Sequence, residues 1–213
     1  MIASIFKNLN WVDVIVSLTV IWILFTGIKD GFVKSLLHLI GTFFSLFISF
    51  HYYSGFSGFF VKKIPLSASL VDVVVFLLLW FLSFIAFRFL EKGIFFIFTI
   101  EVHNIVDKWG SAVLALIRSA VIGSIFLFIL LLSHNAYLQQ QALSSFSRKG
   151  LLDFAPKVYL SLFKDVIHPL FPEEHQNTHV SAVLKGESSS RKGIKRKIDR
   201  QKEPEKLNYE KDR

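Results

Sequence analysis

A chain of 213 residues, 53% hydrophobic, with 24 phenylalanines and no cysteine, is long enough for one or two domains and excludes a disulfide framework or a thiolate metal site. Its net charge of +8 is uneven, because residues 185–213 hold 11 Lys/Arg against 6 Asp/Glu. The basic character therefore belongs to a tail, and the rest of the chain is an apolar body.

A helix that crosses a bilayer needs about 20 mostly apolar residues. Residues 1–10 form a short polar lead, and four apolar stretches follow. The first, Trp11–Thr26, has only Lys7 before it and no small-residue cleavage site after it, so it reads as a retained span and not as a signal peptide. Residues 27–31 read as a tight turn bracketed by Gly27 and Gly31, since glycine readily adopts the positive φ that ends a helix. Lys29 and Asp30 then sit at the tip of a helical hairpin.

The second stretch, Phe32–Phe50, places Lys34, His38, Gly41 or Thr42, Ser45 and Ser49 at helical spacing. This polar face has to turn inward or toward water, because charge facing lipid is costly. His51, Tyr52 and Tyr53 suit a membrane boundary, and Gly55, Gly58 and Pro65 are expected to break the helix. The third stretch, Ser67–Leu90, contains Asp72 and Arg88. The connection from Glu91 to Gly110 carries IFFIFTI, which is too short to span. The fourth, Ser111–Ser133, repeats Ser111, Ala115, Ser119 and Gly123 every four residues, a small stripe that suits a helix–helix seam and, alternatively, a pore lining.

Residues 134–150 read as a polar linker. Leu151–Phe171 then sets Leu152, Ala155, Tyr159, Leu162, Phe163, Val166 and Leu170 at spacings of three and four, an amphipathic helix expected to lie at the bilayer interface. From Pro172 the composition is too polar to bury a core, so residues 172–213 read as a disordered basic tail. The tail's nearest partners are anionic lipid headgroups, and nucleic acid is not expected, because aromatic residues are almost absent from it.

Depth decides which intramembrane charges meet. Taking the side of the N-terminus as side A and the other as side B, Asp13 and Asp72 lie near side A, and Lys34 and Arg88 near side B. Arg118 lies roughly 10 Å inside from side B at 1.5 Å per residue. Asp13 is thus out of its reach, and Asp30 or Asp107 is the expected partner, while Lys34 and Arg88 are expected to snorkel. His38 has no second His, Cys or carboxylate at ligand spacing and reads as a buried, hydrogen-bonded histidine. No Gly-rich phosphate loop, HExxH, GxSxG or carboxylate pair within one span occurs, so neither an enzymatic activity nor a cofactor is expected.

Three motifs carry a resemblance. Asn10-Trp11-Val12-Asp13 resembles an opening NWxD, Gly27 to Lys34 resembles a GxxRGFVRE turn, and Asp107, Lys108, Ser111, Ala115, Arg118 and Ser119 follow a DRxxGxxxGxxRG register with small residues for glycines. Together they resemble the colicin V production protein family over roughly residues 8–133, with Asp30 standing where the family usually has Arg. The resemblance implies a bacterial inner-membrane protein linked to production or export of a peptide toxin and to envelope homeostasis, with no catalytic mechanism.

The expected fold is therefore all-α: a four-helix transmembrane domain over 1–133, a linker and amphipathic helix over 134–171, and the tail. An even number of spans puts both termini on one side, and the basic tail favours the cytoplasm. Helix-mediated assembly with a membrane-protein partner or a second copy is the first functional expectation. A small channel or transporter with a polar path along Lys34, His38 and Arg118 is the alternative.

Overall fold

In hydrocarbon every backbone N–H and C=O needs a partner within the chain, so apolar sequence there folds as helix. The computed structural model describes residues 10–61, 67–97 and 104–183, which are helices and short turns with no strand among them. Four helices are long and apolar enough to cross a membrane. They are α1 (Trp11–Asp30), α2 (Phe32–Val61), α3 (Ala68–Ile97) and α4 (Asn104–Leu132).

These helices outrun the sequence expectation. The turn expected over 27–31 is the single residue Gly31, at φ 78°, and α1 continues through Gly27 to Asp30. Gly55 and Gly58 do not break α2, which continues to Val61. Both face open space, and the roughly 1 kcal/mol cost of a helical glycine is less than that of an unpaired backbone group near lipid. The connection expected from Glu91 is largely helix, since α3 reaches Ile97 and α4 starts at Asn104. Pro65 lies outside the described residues.

Helices α2 and α4 are the central pair; α3 packs mainly on α2, and α1 mainly on α4. The outer faces of the flanking helices are apolar and exposed, with Trp22 70% exposed on α1 and Phe81 67% exposed on α3. Hydroxyls on the α1 face bond back to their own helix, Thr19 to the Ile15 carbonyl at 2.8 Å and Thr26 to the Trp22 carbonyl at 3.0 Å.

Toward side A the core is aromatic. Phe50 lies 4.6 Å from Phe128 and 5.2 Å edge-on from Phe76 (ring centroids), and Tyr53 stands edge-on to both Phe76 and Phe128. Tyr159 stacks on Phe50 from outside the bundle, at 5.7 Å.

Helix α4 ends where His134 takes a left-handed φ of 50°. The stretch expected as a linker contains α5 (Ala136–Ser144), N-capped by Asn135, and the turn α6 (Arg148–Leu151). The amphipathic helix begins at Phe154 as α7 (Phe154–Leu162), widens into a π turn at Phe163–Ile167 and ends at Leu170. Pro169 accounts for the widening, because its ring would crowd the carbonyl four residues earlier in a regular helix. Part of the expected apolar face, Leu152, Ala155, Tyr159 and Phe163, is buried against α2 and α4, while Val166 and Leu170 stay exposed.

Asn177 ties the chain down once more. It donates to the Phe50 carbonyl at 2.7 Å, and its N–H donates to the Tyr159 hydroxyl at 3.0 Å. Burial raises the Tyr159 phenol above its ordinary range, opposed by the bond from Asn177. The first unit of the fold thus runs to Asn177 and includes residues 134–171. Residues 178–183, in a second unit, are helical. The tail expected to be disordered lies, from residue 184, outside the described residues.

Candidate functional site

Side B is organised around the break at Gly31. A helix start leaves backbone N–H groups without partners, and here a carboxylate from another helix serves one of them. Asp107, in the first turn of α4, accepts the Phe32 N–H at 2.6 Å. A Cβ on Gly31 would stand 2.9 Å from both Asp107 oxygens, so glycine is required there for room as well as for its φ. The Phe32 ring in turn lies over Gly110. Asp107→Ala removes this cap and is expected to cost about 1 kcal/mol of stability, with Asp107→Asn closer to the native chain. Thermal unfolding in detergent measures both.

Below the break, α1 and α4 approach closely. Gly27 faces Ala115 and the Ser111 carbonyl, with no space for a Cβ, and Val16 lies against Gly123. Ser111, Ala115 and Ser119 are all buried. The Ser111 and Ser119 hydroxyls bond to carbonyls of their own helix, Lys108 at 2.9 Å and Leu116 at 2.7 Å, which leaves a smooth seam. Ser35 joins α2 to this seam by donating to the Gly27 carbonyl at 3.0 Å. The Gly27–Lys34 motif and the Asp107–Ser119 motif are therefore two sides of one contact.

Next to the seam lies a cluster of ionisable side chains. Lys34 Nζ meets Asp30 Oδ1 at 2.6 Å. His38 is buried between two carboxylates, with Nδ1 3.5 Å from Asp30 Oδ2 on α1 and Nε2 2.8 Å from Glu91 Oε1 on α3. These are ion-pair separations without a well-directed hydrogen bond. Arg88 Nε stands 3.9 Å from Glu91 Oε2, and its guanidinium lies over the Phe84 ring. The Arg118 charge, from α4, feels Arg88, Asp30 and Glu91. All four spans contribute to the cluster.

Several sequence expectations change here. His38 does have carboxylate neighbours, brought by α1 and α3 and not by its own helix. Of the two partners expected for Arg118, Asp30 is the one within electrostatic range, and Asp107 is committed to the Phe32 N–H. Lys34 pairs with Asp30 and does not simply snorkel. Nothing in the local sequence marks Glu91 as a site residue, yet its side chain is only 5% exposed. Among the described residues no group of three His, Asp or Glu side chains could hold a metal ion.

The polar face of α2 continues inward from His38 but is internally satisfied. Thr42, Ser45 and Ser49 are buried and donate to the carbonyls four residues back at 2.7–2.8 Å. Gly41 lies under the Phe87 ring of α3. Toward side A this face meets the aromatic core of Phe50, Tyr53, Phe76 and Phe128.

Asp13 lies far from the side B cluster and has its own partners. Its carboxylate accepts the Phe146 N–H at 2.9 Å, the Ser147 N–H at 2.8 Å and the Ser147 hydroxyl at 2.6 Å. Asn10, the N-cap of α1, donates to the Gln141 carbonyl at 2.5 Å and the Ser144 hydroxyl at 3.1 Å. The Asn10 to Asp13 motif is thus a strap that holds the segment after α4 to the start of α1. Asp72 likewise accepts a hydrogen bond, from the Ser57 hydroxyl.

No curated protein and no solved structure matches the chain. The sequence profile described as colicin V production protein matches residues 12–156, which covers α1 to α4, the segment strapped by Asp13 and the first residues of α7. With four membrane-spanning helices and a match over more than half its length, the chain belongs to the colicin V production protein family.

Proposed function

We propose that this is a non-catalytic protein of the bacterial inner membrane that supports production and export of a peptide toxin of the colicin V type, and with it envelope homeostasis, by assembling with a membrane-protein partner or a second copy. Family membership supports the role in colicin V production. The observation that carries the assembly reading is that the family-like motifs meet in one helix seam, Gly27 on Ala115 and Asp107 on the Phe32 N–H. Those residues hold helices together, and none of them is arranged as a nucleophile with its base. The apolar flanks of α1 and α3 offer the surfaces for a neighbour. The basic tail favours cytoplasmic termini and contact with anionic headgroups.

The alternative of conduction along Lys34, His38 and Arg118 has less support, because the aromatic core stands across the same axis toward side A. The test is deletion of the gene in a strain that secretes a colicin V type toxin. Toxin activity in the medium should fall and return with a plasmid copy, while proteoliposomes of the purified chain should show no added ion flux. Undiminished secretion by the deletion strain would end the export reading.

A further inference from the structure

The amphipathic stretch after residue 150 spends Leu152, Ala155, Tyr159 and Phe163 on α2 and α4, so those side chains do not reach the bilayer. The most exposed large apolar side chain among the described residues lies before them. It is Phe146, 84% exposed, in the bend between α5 and α6.

The level of this bend follows from α1. Its 20 residues make a helix of about 30 Å, the thickness of the hydrocarbon core of a bilayer. Asn10 caps it at one end and Gly31 breaks it at the other, so α1 has no length to spare and its first turn lies at the hydrocarbon edge. Exposed apolar side chains run along α1 from Val14 to Ile28. Asp13, in the first turn, accepts the N–H groups of Phe146 at 2.9 Å and Ser147 at 2.8 Å. Phe146 is therefore pinned within a side chain's length of the point where α1 enters lipid. Two more bonds close the bend, Lys149 N–H to the Phe146 carbonyl at 3.4 Å and Leu151 N–H to the Ser147 carbonyl at 3.0 Å. Backbone groups paired in this way suit a segment that borders hydrocarbon. A bare aromatic ring at that level gains by leaving water.

We propose that Phe146 anchors the segment after α4 to the membrane: its ring inserts among the acyl chains at the side A surface, and the Asp13 carboxylate holds the bend that presents it. The backbone stays at headgroup level, and the partner is the lipid bilayer itself. The anchor stands apart from any role in toxin production, and its test does not depend on that role.

The chain has no cysteine, so Phe146→Cys can carry a single fluorophore, and a side chain this exposed can be exchanged without disturbing the core. The full chain is placed in nanodiscs of phosphatidylcholine and phosphatidylglycerol, with and without doxyl-labelled acyl chains. Leu18→Cys, on the exposed flank of α1, and Gln140→Cys, exposed on α5, are the lipid and water references. At Phe146→Cys the emission should lie to the blue of Gln140→Cys, lose intensity to a doxyl group near the headgroup more than to one at the chain end, and resist aqueous iodide. Iodide quenching equal to that of Gln140→Cys, with none by doxyl lipid, would place the ring in water and overturn the anchor. Shielding from both quenchers would mean that protein covers the ring, and would overturn it too. A readout without a label is hydrogen exchange at Ser147–Leu151 in the same nanodiscs. Phe146→Asn should speed it and Phe146→Leu, still apolar, should not, whereas equal exchange in both variants would count against the anchor.

Discussion

Replacing Gly27 with alanine should destabilise the protein by about 1–3 kcal/mol, the range for overpacking a tight contact. The sign is informative, because glycine to alanine inside a helix ordinarily stabilises by roughly 0.5–1 kcal/mol. Here the added methyl would coincide with the Ala115 side chain, which leaves α1 and α4 no option but to move apart. Moving them apart also strains the Asp107 bond to Phe32, which ties α4 to α2, and the Ser35 bond to the Gly27 carbonyl, which ties α2 to α1, since the two together link α4 to α1 through α2. Ala115→Gly should restore most of the loss in the Gly27→Ala background, as expected for residues that touch. Reversible unfolding in mixed micelles gives all three values. A neutral or stabilising Gly27→Ala would mean that the seam is not as close as described.

Asp13→Ala should act locally and at the other side. It removes the acceptor of two backbone N–H groups and one hydroxyl. Bonds to a charged acceptor are worth about 1.5–3 kcal/mol each when protected, and Phe146 is exposed enough for water to replace part of the loss. A net cost of about 1–3 kcal/mol is expected, confined to the segment that follows α4. Hydrogen exchange should therefore speed up at Phe146 and Ser147 and at neighbouring amides, while α2 stays protected. Asp13→Asn, which keeps one acceptor oxygen, should fall between. Unchanged exchange at Phe146 and Ser147 would show that the strap carries no stability.

The spans and the small stripe on α4 were legible because both are patterns within one helix: length and apolarity for the first, a four-residue period for the second. The partners of the ionisable residues were not. Glu91 meets His38 from 53 positions away, and Asp13 meets Ser147 from 134 positions away. No local spacing encodes either distance. The helix ends differ from the sequence expectation for a different reason. Gly55 and Gly58 weaken a helix in water, where the backbone has an alternative partner, but near lipid the intrahelical bond is the only one on offer. Gly27 shows the reverse case. It reads as a turn former in the sequence, yet it is a helical residue whose missing side chain admits a neighbouring helix. Asp30, which departs from the family pattern, finds its place in the cluster through Lys34 and His38 and not through the turn.

Four crossings of the membrane put the Gly31 break and the charge cluster on one side and the Asp13 strap on the other. The natural sequence has no cysteine, so single thiols can be placed without background. Lys29→Cys and Lys108→Cys mark side B, and Gln140→Cys marks side A. Treated with a membrane-impermeant maleimide, intact spheroplasts and inverted vesicles should label complementary sets, with Lys29→Cys and Lys108→Cys always together and Gln140→Cys always in the other. Labelling of all three from the same side of the membrane would contradict the four-span bundle.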